Sequence, residues 1–247
     1  MKEGSKIRVI KNFYDEEDLM EVVGLEGLVT KIEYGGRSLL PKIWVKITTE
    51  GFYNGTLALQ MDFRISHWLR ELCDKYFGYK NCVNVIQWCY SSGGSSKNKL
   101  NQKNDEIIIY AKNKKKQKFN YMTEKSYNRD FKPYRFKGVE EFEDEYGRWY
   151  TMVGMKCIWS DIPMVGRTSK ERIGYSTQKP IKLMNRIRDL YTDEGDVIAD
   201  FFCGSGTMLV SAKEGNRRYI GCDINPEAVK VTNERLNEVI IDGYRTI

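Results

Sequence analysis

Residues 195–223 read GDVIADFFCGSGTMLVSAKEGNRRYIGCD, and this stretch decides the fold. GDVIAD (195–200) is a short apolar strand that runs straight into the glycine turn FFCGSGTM (201–208). A helix, LVSAKEG, follows, and a second strand, RRYIGCD, ends on Asp223. Where a strand, a glycine turn and a helix follow one another, backbone N–H groups and the helix N-terminus face a ligand. Gly204 and Gly206 permit a close approach that a side chain would block. Asp223 stands 23 residues after Asp200 at the tip of the second strand, a position suited to hydrogen-bonding ribose hydroxyls. The unit is therefore expected to bind a ligand containing a nucleoside. A dinucleotide fits poorly, because Leu209 stands where the third glycine of GxGxxG would be. An ordinary glycine turn in an α/β domain would account for the loop but not for Asp223 as well.

Working outward, IKLMNRIRDLY (181–191) reads as a helix that starts behind Pro180 and buries Ile181, Met184, Ile187 and Tyr191. Further back, TLALQMD (56–62) reads as a buried strand. ISHWLRELCDKYFG (65–78) follows as a helix with Ile65, Trp68, Leu69, Leu72 and Phe77 near helical spacing. VNVIQW (83–88) and DEIIIYAK (105–112) are two more strands, separated by a Gly/Ser/Asn/Lys-rich loop from Ser91 to Asn104. Strand followed by helix is the repeating unit. Residues 1–54 form a separate small β-rich segment with the stretches KIRVI (6–10), LVTKI (28–32) and KIWVKI (42–47), faintly SH3-like.

Residues 113–158 carry many aromatic side chains among charges and show no clear periodicity. Rings that stack on bases beside cations that meet phosphates suit nucleic-acid contact, and an irregular subdomain with its own satellite core fits the composition equally well. The net charge is +6, with a run Lys112, Lys114, Lys115, Lys116 and Lys118 that suits either phosphate neutralisation or a solvated loop.

Several classes are disfavoured. Six cysteines without a CxxC pair, and a single histidine, argue against a zinc site, so no metal is expected. His67 lies in an aromatic-rich helical stretch where packing is a better reading than catalysis. No apolar run is long enough to span a bilayer and no leader precedes the first strand, which points to a cytoplasmic protein.

DFFCGSGT (200–207) resembles the D-P-F-x-G-[SC]-G-T signature of the DNA methyltransferases that act on exocyclic amines, with Phe201 in place of the usual proline. WSDIP (159–163), SKERIGYSTQKP (169–180) and the helix after them resemble the segment that precedes the turn in that family. Their order resembles its circularly permuted β-type arrangement. The resemblance covers about residues 55–247. It implies an α/β, Rossmann-like sheet that binds S-adenosylmethionine, with 113–158 as target-recognition region and double-stranded DNA as substrate. It implies further that Asp200, Phe202, Gly204 and Gly206 form the cofactor turn, that Asp223 meets the ribose, and that Thr177 and Lys179 lie at the methionine end.

The family holds the flipped base with [DNS]-P-P-[YFW]. The five prolines here, Pro41, Pro133, Pro163, Pro180 and Pro226, include no adjacent pair, and KPY (132–134) falls on the wrong side of the central strands. No residue is therefore assigned to catalysis. KIWVKI is a candidate for the sheet position that the missing motif would occupy. Two readings follow. One is a site-specific methyltransferase acting on adenine rather than cytosine, with the amine-holding group supplied by an unrecognised element, a partner chain or a second copy in a homodimer. The other is a truncated or rearranged, catalytically inactive remnant that binds DNA or cofactor. A metabolic Rossmann enzyme explains the turn but neither TQKP nor the basic, aromatic middle.

Overall fold

A continuous apolar strand, Ile107 to Ala111, builds the centre of the molecule. The structure, a computed structural model, describes residues 28–29, 47–48, 55–61, 63–91, 96–223 and 225–238. Strands β1 (Leu28–Val29) and β2 (Ile47–Thr48) form a two-stranded antiparallel sheet of their own. The expected strand at 6–10 and residues 42–46 of KIWVKI lie outside the described residues. Ile47, the end of that stretch, pairs with Val29 and not with the central sheet.

Next come β3 (Thr56–Met61), α1 (Phe63–Phe77), β4 (Cys82–Cys89) and β5 (Asn104–Ala111). β5 lies antiparallel between β3 and β4, so β3 and β4 run in the same direction. Ile107, Ile108, Ile109 and Tyr110 are all buried, because both faces of β5 are covered. One face meets α1 through Ile108, Tyr110, Cys73, Leu69 and Phe77. The other meets α2 (Ile181–Tyr191) through Ile107, Ile109, Trp88, Leu183, Met184 and Ile187.

The helix at α1 forms as its spacing predicts, and of the apolar residues at that spacing Leu69 and Phe77 pack on the core. Ser66 and Cys73 are buried, whereas Ile65, Trp68 and Leu72 are exposed. His67 is exposed as well, and its ring lies 5.0 Å from that of Trp68. The physical reason is that α1 has apolar residues on more than one face, and β5 covers only one of them. On α2, Leu183 and Leu190 join the expected Met184, Ile187 and Tyr191 in the core, and Ile181 is only half-buried. Pro180 is extended (φ −64°, ψ 137°) and stands just before the helix rather than in its first turn.

The middle region is more regular than its sequence suggests. β6 (Thr123–Tyr127), β7 (Phe142–Glu143) and β8 (Trp149–Gly154) form an antiparallel sheet with β8 in the centre, and β9 (Ile158–Trp159) returns to pair in parallel with β4. β6 reads TEKSY and alternates exposed with half-buried positions, so no apolar periodicity announces it.

The chain then forms β10 (Val197–Asp200), α3 (Thr207–Glu214), β11 (Arg218–Gly221) and α4 (Pro226–Glu238), with β10 and β11 parallel. Among the described residues the sheet is thus in two pieces, and β3 and β10 are each hydrogen-bonded on one edge. α2 ties the pieces together. Met208 of α3 packs on the α2 core, and Arg188 donates to the Ser211 carbonyl at 2.5 Å. No helix of the described residues is long and apolar enough to cross a membrane.

Candidate functional site

Asp200, at the carboxyl end of β10, starts the turn and accepts a hydrogen bond from the Phe202 backbone at 3.1 Å. Burial holds its carboxyl above the ordinary range, with the nearby Asp223 charge acting in the same direction. Phe202 projects into solvent. The Gly204 N–H donates to Asp223 Oδ2 at 2.8 Å, so the tip of β11 is bonded directly to the turn. The Asp223 Oδ1 atom accepts from the Asn225 backbone at 2.9 Å.

The two glycines serve different ends. Gly204 has φ +52°, and a Cβ there would make only ordinary contacts, 3.6 Å from the Tyr175 ring and 3.9 Å from the Phe202 carbonyl. Gly206 has φ +72°, and a Cβ would stand 2.6 Å from Thr232 Cγ2 on α4. Its missing side chain is therefore explained by helix packing, not by ligand approach. Thr232 Oγ1 also donates to the Gly204 carbonyl at 3.0 Å, and Arg235 donates to Thr207 Oγ1 at 3.0 Å. The turn is held from beneath by α4.

Cys203 and Cys222 lie under the turn, and burial pushes their thiols up to about 12 and about 11. Neither is a thiolate near neutral pH.

The segment before α2 brings Tyr175 to the turn. Its phenol is raised above its ordinary pKa by burial and by the Asp223 carboxylate, against an opposing hydrogen bond with Asn225. Gln178 braces this loop, accepting from the Ile173 backbone at 3.0 Å and donating to the Glu171 carbonyl at 2.6 Å. Glu171 in turn accepts from the Ile181 N–H at 2.5 Å and satisfies a donor at the start of α2. Thr177 is exposed on the same loop.

Lys179 is committed elsewhere. Its ammonium pairs with Asp105 at 3.0 Å and sits 5.6 Å from the centre of the Trp88 ring. Asp105 also accepts from Gln60 at 3.1 Å and from the Tyr90 hydroxyl at 2.9 Å. These groups lie where β3 ends, β4 ends and β5 begins. Sequence reasoning missed Tyr175, Asp105, Gln60 and Tyr90. Tyr175 lies inside the GYSTQKP stretch and was open to notice. The other three come together only because β5 runs antiparallel between its neighbours.

The lysine run also divides. Lys112, Lys114, Lys115 and Lys116 are exposed, while Lys118 is paired with Asp193 at 2.9 Å and Asp196 at 2.6 Å just before β10. In the three-stranded sheet, the Arg148 guanidinium stands 4.7 Å from the Tyr127 ring, 5.1 Å from Tyr146 and 5.7 Å from Phe131.

The sequence model of the DNA methylase family matches residues 42–234, which include the turn, the Tyr175 loop and the central sheet. The chain belongs to the DNA methylase family. Among its relatives, the type II methyltransferase M.HpaI of Haemophilus parainfluenzae is 27% identical over 197 residues, 78% of this chain and 57% of its own length. The type II methyltransferase M2.DpnII of Streptococcus pneumoniae is 42% identical over 82 residues, 33% of this chain and 30% of its own length. This DNA methylase chain thus spans little more than half of M.HpaI and less of M2.DpnII. The crystal structure of the M1.HpyAVI–SAM complex resembles it in fold, with a TM-score of 0.51 at 20% identity, over 75% of this chain and 76% of that one.

Proposed function

We propose that this DNA methylase binds S-adenosylmethionine at the β10 turn and transfers its methyl group to an exocyclic amine of double-stranded DNA, adenine rather than cytosine. The observation that carries the reading is the hydrogen bond from Gly204 to Asp223. It fixes an acidic strand tip beside a turn with an open, left-handed glycine, and the remaining lone pairs of the carboxylate can accept from the hydroxyls of a ribose. Asp223 would hold the ribose hydroxyls, exposed Phe202 would lie along the adenine ring, and Thr177 with Tyr175 would border the methionine end. Asp200 and Gly206 support the turn. Lys179 acts on the ligand only if its pair with Asp105 opens, so we assign it to bracing the segment before α2 against the start of β5.

The cofactor supplies an activated methyl group when bound. The chain's own contribution is to orient that group beside the carboxyl ends of β3 and β10. Residues 113–158, with Arg148 among aromatic rings, would face the DNA, whose phosphates favour such cations, whereas the exposed lysines at 112–116 lie at the other end of the sheet, where β3 and β4 begin. Such an enzyme would work in the cytoplasm.

A second reading is favoured by one observation: no two prolines are adjacent, so the amine-holding motif of the family is not in this sequence. In that reading the chain binds cofactor and DNA without catalysing transfer. The deciding experiment uses S-adenosylmethionine with a labelled methyl group and unmethylated genomic DNA. Label in the DNA supports the enzyme. Cofactor binding by calorimetry without label in DNA supports the second reading, and absence of cofactor binding overturns both.

A further inference from the structure

The central sheet carries a basic patch at the end opposite Asp105. From 75 to 104 and again from 107 to 123 the sequence contains ten Lys and neither Asp nor Glu, so these stretches cannot neutralise themselves. Folding gathers half of that charge in one place. β4 begins where β5 ends, with Cys82 opposite Tyr110. Lys80, in the 3-10 turn before β4, therefore stands beside the turn that follows β5, which carries Lys112, Lys114, Lys115 and Lys116. All five lysines are exposed.

The turn is held by its own hydrogen bonds. The Asn113 carbonyl accepts from the Lys116 N–H at 3.0 Å, and the Asn113 side chain accepts from the Lys115 N–H at 3.1 Å. Lys112 donates its N–H to the Gly55 carbonyl at 2.9 Å, and the Lys114 ammonium donates to the Cys82 carbonyl at 3.4 Å. The backbone from which these side chains project is thus fixed against β3 and β4. Lys118 is neutralised by Asp193 and Asp196, whereas none of the five has a carboxylate partner among the described residues. Like charges gathered at one place repel, and a polyanion relieves that repulsion.

Position and residue type say which polyanion. Asp105 pairs with Lys179, four residues after the Tyr175 that meets the glycine turn, so the candidate site lies at that end of β5. β5 is extended, and seven residues at about 3.4 Å each put Lys112 roughly 24 Å from Asp105. A duplex held at the candidate site is too stiff to bring the same stretch of phosphates round to the lysines, its persistence length being about 150 base pairs. We infer that the patch holds the phosphate backbone of a second segment of duplex DNA, apart from the one at the candidate site. The inference rests on the reading of this chain as an enzyme or remnant that binds DNA. Neither stretch contains an Arg, the side chain best suited to read guanine, so the contact is with phosphates and independent of sequence. A chain that holds two segments can pass from one to the other without leaving the polymer.

Titration calorimetry of the full chain with a duplex of about 20 base pairs, far below the persistence length, counts the segments held. The wild type is expected to take two duplexes per chain, and K112Q/K114Q/K115Q/K116Q one. The matching arginine set, K112R/K114R/K115R/K116R, keeps the charge and is expected to take two again, which separates charge from any effect on the turn. On long DNA, between about 50 and 200 mM salt, the glutamine set is expected to flatten the plot of log affinity against log salt by about three to four, at about 0.9 per lost phosphate contact. One duplex per chain in both the wild type and the glutamine set overturns the inference and leaves the reading of the candidate site standing, whatever else the lysines meet. Two duplexes held by the glutamine set overturn it as well. A wild type that takes no duplex overturns this inference and the DNA reading together.

Discussion

Gly206 and Gly204 stand two residues apart in the same turn, both with left-handed backbone, yet they answer to different neighbours. A methyl group at Gly206 would press on Thr232 at 2.6 Å, and one at Gly204 would make only ordinary contacts, the nearest with the Tyr175 ring at 3.6 Å. Gly206→Ala is therefore expected to lose about 2–4 kcal/mol of stability, the left-handed backbone and the forced shift of α4 adding together. Gly204→Ala is expected to lose about 1–2 kcal/mol from the backbone alone. Urea unfolding of the two variants checks the order, and equal losses would show that Thr232 yields freely. The cysteines make a second prediction of the same scale. Cys157 is exposed, while Cys203 and Cys222 are buried with raised thiol pKa values. A thiol reagent at pH 8 is expected to modify Cys157 first and to leave Cys203 and Cys222 untouched until the protein unfolds, as peptide mapping would read.

At the scale of elements, α2 is the member that holds two sheet pieces, and its outer side is tied down by Asp161. Arg186 binds that carboxylate at 2.8 and 2.6 Å, and Lys182 at 3.3 Å. The Arg186 hydrogen bond, ahead of opposing desolvation, lowers the Asp161 carboxyl to about 2. A carboxyl whose folded pKa is depressed contributes stability above its unfolded value and loses it as pH falls through the folded value. The stability difference between wild type and Asp161→Asn is therefore expected to be full above about pH 4 and to vanish toward pH 2. Because Asp161 is more than half exposed, screening limits that difference to about 0.5–1 kcal/mol. Melting curves from pH 2 to 7 would read it, and a difference that grows toward acid would contradict the assignment. The elements also show where pattern reading succeeds. GDVIAD, the α2 segment and strands β3, β4 and β5 were legible because each is a short apolar run or carries one apolar period. β6 was not, because TEKSY sets polar or charged residues at half-buried and exposed positions alike, so no apolar period marks its inner face.

At the scale of the molecule, the β10–β11 unit and the central sheet must act as one body if α2 joins them. Saturation of the candidate site with S-adenosylmethionine at about 100 times its Kd is expected to stabilise the whole chain by about 2.7 kcal/mol in a single transition. Asp223→Ala should abolish that shift. A calorimetric trace in which the cofactor moves only part of the unfolding would show that the two pieces melt apart. Local order was in the sequence itself: a glycine turn followed by an acidic strand tip can be recognised wherever it occurs, because its geometry is set by residues close in the chain. The company that Asp105 keeps with Lys179, Gln60 and Tyr90, and the choice of which α1 face meets the core, were decided by tertiary structure. Both depend on β5 lying antiparallel between β3 and β4, pairings between residues 45–55 apart for β3 and 15–28 apart for β4 that no short period records.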